Sequence, residues 1–156
     1  LAAAGAPPSE AAPAKAPAAR WSWARLLGAG VNDLAVRPTS GGRELLVAAA
    51  GDDHAIALGV LGCEADGGAA GELAELRMRS SRRFPGAHAS AVRSVAWAHG
   101  HLMSVGLDRR LRVWRAQPAA ASDGDTPSGC LDLLEAACVA TRCAEPGALA
   151  VGAAVA

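Results

Sequence analysis

Residues 87–115 read AHASAVRSVAWAHGHLMSVGLDRRLRVWR. Short apolar runs, Val92–Ala98, Leu102–Val105 and Leu111–Trp114, are parted by turn residues at Gly100 and at Leu107–Arg109. Runs of this length with alternating character, punctuated by Gly and Asp, predict antiparallel strands joined by hairpins. Working outward, the pattern recurs. Segment 44–58, ELLVAAAGDDHAIAL, matches segment 101–114, HLMSVGLDRRLRVW: each is an apolar strand, small residues, an Asp, two turn residues and a second alternating strand. Asp53 aligns with Asp108, Ile56 with Leu111, Leu58 with Val113, and Val31–Leu34 with Val92–Val95. The two aspartates are 55 residues apart. A third, shorter copy is expected to begin near Cys138 and to reach a strand at Leu149–Val151. The turn clusters Pro38–Gly42, Gly51–Asp53 and the Gly-rich 66–71 complete a meander, and the fold class is read as all-β. Alanine and leucine content favours helix over 69–79, but the repeat overrides it.

The second copy carries a more specific signature. His88 precedes a strand, Ser104 lies four residues before Asp108, and Trp114 six residues after it. With Val92, Val95, Leu102, Leu111 and Val113, this resembles a WD40 repeat. The resemblance implies a partial β-propeller: about two and a half blades of four-stranded antiparallel sheet, at roughly 31–79, 92–134 and a remnant at 138–156. An edge strand from a preceding blade is expected around Trp21–Trp23. It also implies that His88, Ser104, Asp108 and Trp114 form a hydrogen-bonded structural set, since a buried carboxylate needs donors. The chain departs from the family where Arg115 follows Trp114 in place of Asp, and where Ala87 precedes His88 in place of Gly. The first copy is degenerate: Leu27, Ala49 and Gly59 stand where His, Ser and Trp would be, and only Asp53 survives as its turn residue. VNDLAVRPTSGGRELLVAAAGDD (31–53), HASAVRSV (88–95) and DRRLRVWR (108–115) further resemble the last blades of the WD-repeat subunits that partner tRNA 2′-O-methyltransferases acting at the anticodon wobble position. That narrower likeness covers about 30–156. It implies an FtsJ-like 2′-O-methyltransferase as protein partner, with tRNA met through the complex.

Composition sets the limits. The chain has 156 residues, 51% of them hydrophobic, and no net charge. Forty residues are alanine, and the large core-formers number only 36, so the hydrophobic fraction overstates the core. One Lys stands against 14 Arg. Balanced charge argues against strong non-specific nucleic-acid binding. No apolar run is long enough for a transmembrane helix. Residues 1–20, rich in Ala and Pro, predict a disordered linker, leaving 21–156 as the repeat region. The chain opens on Leu, not Met, which reads as a piece of a longer protein. Cys63, Cys130, Cys138 and Cys143 form no C-x-x-C pair and are read as reduced thiols of an intracellular, cytoplasmic protein; the last three are expected to be small buried residues. Two and a half repeats cannot close on themselves, so marginal stability and a tendency to aggregate are expected.

His88, Ser104 and Asp108 could be taken for a catalytic group, but no G-x-S-x-G elbow accompanies them. His99 and His101 flank a turn at Gly100 and lack a second ligand pair with zinc spacing. The glycines have no strand–loop–helix setting for phosphate. No cofactor, metal or small-molecule substrate is expected, nor a membrane partner. Arg77, Arg79, Arg82 and Arg83 fall within seven residues, on an outer strand and the loop leaving it. They either guard a sheet edge or contact phosphate or an acidic partner. The function expected is non-catalytic: a WD-repeat subunit that regulates or scaffolds a tRNA 2′-O-methyltransferase. The alternative is a general WD40 interaction scaffold, as in ubiquitin-ligase or trafficking assemblies.

Overall fold

The computed structural model describes residues 25–42, 44–64, 75–118, 131–143 and 145–151. The linker expected at 1–20 and the edge strand expected around Trp21–Trp23 lie outside them, as does Cys130. The described chain is all-β. Strands β1 (Val31–Pro38), β2 (Glu44–Gly51), β3 (Ile56–Glu64) and β4 (Glu75–Phe84) form one antiparallel sheet. Strands β5 (Val92–Ala98), β6 (His101–Gly106), β7 (Arg110–Pro118) and β8 (Leu131–Ala140) form a second. Both run in simple meander order, each strand bonded to its sequence neighbour. No helix is present among the described residues, and none is long and apolar enough to cross a membrane.

The two sheets repeat each other in backbone detail. Each first strand carries a register shift at the same place, between Val31 and Asp33 and between Val92 and Ser94. Each second turn holds a non-glycine residue with positive φ, His54 at 62° and Arg109 at 58°. Asp52 N–H donates to Gly30 O and Leu107 N–H to Ala91 O, both at 3.0 Å. Alternation along the strands then decides what is buried. Ala48, Ala50, Ile56 and Leu58 turn one face of the first sheet toward Ala87, Val92, Val95, Leu102 and Trp114 of the second unit, and these form the main core. Ala49, Ala55 and Ala57 face the other way and are covered by Leu26 and Leu27. A strand buried on both faces reads as a continuous apolar run, as Leu45–Ala50 does.

Polar contacts fix the sheets against each other. Asp33 Oδ2 accepts from Ser94 Oγ at 2.5 Å and from Val95 N–H at 3.0 Å. Asn32 Nδ2 donates to Val92 O at 2.9 Å, and Trp97 Nε1 to Ala35 O at 3.3 Å. The Arg37 guanidinium lies 4.2 Å above the Trp97 ring.

Four boundaries differ from the sequence reading. The first repeat, expected to end at residue 79, continues to Phe84, because Arg82, Arg83 and Phe84 pair with Leu58, Ala57 and Ile56. An edge strand can carry such charges, since its side chains reach solvent. All four β4 arginines are therefore in the strand, and none in a loop. The second repeat runs to Ala140, not 134, so Cys138 sits within β8 and does not open a third copy. Beyond it, residues 141–143 and 145–151 cross the end of the second sheet without forming the strand expected at Leu149–Val151. Thr141 N–H bonds to Arg109 O at 2.7 Å, Pro146 is buried, and Leu149 N–H bonds to Ser94 Oγ at 3.0 Å. That last contact reproduces the way Val95 N–H meets Asp33, at the aligned position one sheet earlier.

Candidate functional site

The loop before β5, strand β6, the β6–β7 turn and strand β7 bring His88, Ser104, Asp108 and Trp114 together. Trp114 Nε1–H donates to Ser104 Oγ at 2.8 Å. Ser104 Oγ is 2.8 Å from His88 Nε2, and His88 Nδ1 is 2.9 Å from Asp108 Oδ1. A carboxylate can only accept, so Nδ1 carries the imidazole proton and Nε2 accepts from the serine hydroxyl. The four groups thus form a chain of donors running in one direction and ending on Asp108. Its other donors are Ala89 N–H at 3.0 Å and Arg110 N–H at 3.1 Å.

Gly106 lies against this set. A Cβ there would stand 2.6 Å from His88 Nδ1 and 3.0 Å from Asp108 Oδ1. Burial pushes the His88 pKa down, and the opposing Asp108 hydrogen bond and charge do not restore it, so the ring is held neutral. Burial also opposes ionisation of Asp108. The His88, Ala89 and Arg110 donors outweigh it and hold the carboxyl below its usual range. His88 is 2% exposed and Ser104 is fully buried. No substrate reaches the hydroxyl, and the set holds the loop to the sheet.

The first sheet keeps the turn and replaces the rest. Asp53 accepts from Gly28 N–H at 2.8 Å and Ala55 N–H at 3.3 Å, matching the Ala89 and Arg110 bonds of Asp108. In place of the histidine, Arg83 reaches Asp53 Oδ2 through Nε at 3.1 Å and Nη2 at 2.9 Å. Leu27 packs against Gly51, where a Cβ would meet its Cδ1 at 2.7 Å, as His88 packs against Gly106. The room a tryptophan would take at Gly59 is filled by Met78, whose Sδ lies 2.8 Å from a Cβ built there.

The β4 arginines are largely engaged. Arg79 pairs with Glu44 at 3.5 Å, Arg82 with Asp132, and Arg83 with Asp53. Arg77 is not free either. His99 and His101 sit at the β5–β6 hairpin, where His99 and Gly100 both have positive φ, and His101 Nδ1 lies 3.1 Å from the His99 carbonyl. No cluster of metal-ligating side chains occurs among the described residues. Cys138 and Cys143, expected to be buried, are exposed. The reason is local: β8 is an edge strand, and Cys143 lies in the segment that follows it. Sequence reasoning also missed Asp33, whose partners lie 61 and 62 residues away, and no local signal marks it.

No protein-family model matches the chain, and no curated protein matches it significantly.

Proposed function

We propose that the two sheets are consecutive propeller repeats of the WD40 kind and that the chain is a non-catalytic interaction subunit. The observation that carries this reading is the donor chain Trp114–Ser104–His88–Asp108, its first three members buried in a four-stranded meander and its carboxylate end in the β6–β7 turn. The nucleophile and base that an enzyme would expose are here spent on holding a loop to a sheet. The repeated turn aspartates and first-strand register shifts support a unit that recurs. The surface left for function is then the assembled loops and strand edges.

Within that class we propose a WD-repeat subunit that holds a tRNA 2′-O-methyltransferase and presents tRNA to it, in the cytoplasm. Its support is the likeness of residues 31–53, 88–95 and 108–115 to such subunits. The test is co-expression of the chain with an FtsJ-like 2′-O-methyltransferase, followed by affinity capture of the chain. Recovery of the methyltransferase at constant ratio through gel filtration is the expected result. Its absence, with the chain folded, overturns the methyltransferase reading and leaves the general interaction scaffold.

A further inference from the structure

The β4 arginines lie within seven residues of one another in the sequence. The fold gathers another four that are scattered along the chain. Arg93 is the second residue of β5, Arg109 and Arg110 form the end of the β6–β7 turn and the start of β7, and Arg142 follows β8 by two residues. Backbone bonds tie these places together. Leu107 N–H meets Ala91 O at 3.0 Å, Thr141 N–H meets Arg109 O at 2.7 Å, Val92 pairs with Gly106, and Arg110 pairs with Ala140. All four side chains are exposed at one end of the second sheet.

Their charge is not cancelled. Among the described residues Arg93, Arg109 and Arg142 make no ion pair, and the Arg110 side chain reaches only Cys138 Sγ, at 3.6 Å. Of the carboxylates near them in sequence, Asp108 faces His88 and the turn amides, and Glu145, three residues past Arg142, forms no ion pair with it. The matching end of the first sheet lacks this group: Asn32 stands where Arg93 does, Asp52, Asp53 and His54 stand where Leu107, Asp108 and Arg109 do, and Arg83 is paired there with Asp53. Unpaired guanidinium groups thus gather at one end of the second sheet, whereas the first sheet's Arg79, Arg82 and Arg83 are held in ion pairs.

We propose that the Arg93–Arg109–Arg110–Arg142 end of the second sheet is a binding surface for the phosphate backbone of a structured RNA. Guanidinium forks match phosphate oxygens, and several of them on one surface engage a polyanion better than a single charge. Base stacking is not part of the surface. Trp114 is buried, and Trp97 lies toward the other end of β5, under Arg37. The choice of RNA over an acidic polypeptide rests on the function proposed above, which it deepens by naming the face that meets the nucleic acid.

The test is titration of a tRNA transcript with the full chain at several salt concentrations, for wild type, R93Q/R109N/R142Q and R115Q. Asn at 109 accepts the left-handed backbone there. Arg115 is exposed on β7 opposite His101, far from the turn, and serves as the control. Wild type should bind with affinity that falls as salt rises. The triple variant should lose about tenfold or more, and its slope of log affinity against log salt should drop by ~2–3, near 0.9 for each phosphate contact removed. R115Q should match wild type. Circular dichroism checks the fold, and if the triple variant fails to fold, R142Q alone and the wild-type salt slope decide.

The proposal is overturned by any of three results: no tRNA binding at low salt, equal binding by wild type and the arginine variants, or tighter binding of poly-glutamate than of tRNA to these residues. Capture of a methyltransferase is read separately. A chain that recovers the enzyme but shows no arginine-dependent RNA binding refutes this surface and leaves the proposed function standing.

Discussion

Ser104 takes a proton donor from one side and gives its own proton to the other, so two buried groups depend on one hydroxyl. Ser104→Ala strands both His88 Nε2 and Trp114 Nε1, at a cost of about 1–3 kcal/mol for each buried group left unpaired. Trp114→Phe removes the end of the donor chain and strands neither neighbour, so urea denaturation should place it well above Ser104→Ala in stability. The glycines allow a sharper comparison. Gly106→Ala drives a Cβ into a ring pinned by two hydrogen bonds, whereas Gly51→Ala meets the end of the flexible Leu27 side chain. The first should destabilise by more than the second, though Asp53 Oδ1, 2.8 Å from a Cβ at Gly51, gives the second a cost of its own. Acid should weaken the set in two stages. His88 titrates in the folded chain below its unfolded value of about 6.5, so its share of stability is complete above that pH and falls as pH drops through it. Asp108, also lowered, adds a second loss below pH ~3.9. Thermal melts from pH 8 to 3 should show Tm falling from about pH 6.5 downward, with the upper stage absent in His88→Gln. The members of this set were legible through the resemblance to a WD40 repeat, whose pattern all four match at short intervals within one repeat. The direction of the donor chain was not, since it follows from three distances that only the folded backbone supplies.

Strands follow the same logic at longer range. β1–β3 and β5–β7 were legible, because alternation and turn residues are local properties, whereas β4 followed only from the repeat and β8 was divided between two copies. Their ends were less so. Arg82 and Arg83 look like the start of a loop, yet they continue β4 because an edge strand presents alternate side chains to water and their guanidinium groups find Asp132 and Asp53. The contacts that hold one sheet on the other left no mark in the sequence. Asp33 accepts two hydrogen bonds from the second sheet, and its pKa is lowered because the Ser94, Val95 and Leu34 donors outweigh its partial burial. Asp33→Ala should cost about 1–3 kcal/mol by leaving Ser94 and Val95 N–H without an acceptor. Asp33→Asn keeps one acceptor oxygen and should recover part of it. An Asp33→Ala variant as stable as wild type in chemical denaturation would show that the clamp contributes nothing.

A mismatch between aligned faces governs the molecule as a whole. Val92 and Val95 are 0% and 4% exposed because they pack on the alanine floor of the first sheet. Their aligned counterparts Val31 and Leu34 are 53% and 56% exposed, and Val36, aligned with the half-buried Trp97, is 55% exposed. One residue pattern therefore meets a partner in the second sheet and meets water in the first. Full burial of a Val or Leu side chain is worth roughly 1.5–3 kcal/mol, and contiguous apolar patches on strands are where proteins associate. Light scattering across a concentration series should show this chain self-associating. Leu34→Glu combined with Val36→Lys should shift it toward monomer, and because both side chains already face solvent, Tm should stay within a few degrees of wild type. Val95→Glu, on the aligned but covered position, should unfold the chain instead, since it puts a charge into the main core. The difference between these variants separates a repeat whose two faces are built for the same kind of neighbour from a pair of sheets that merely share a core. A wild-type chain that stays monomeric at every concentration would mean that Val31, Leu34 and Val36 are not an association surface, and that the resemblance between the two faces ends at the sequence.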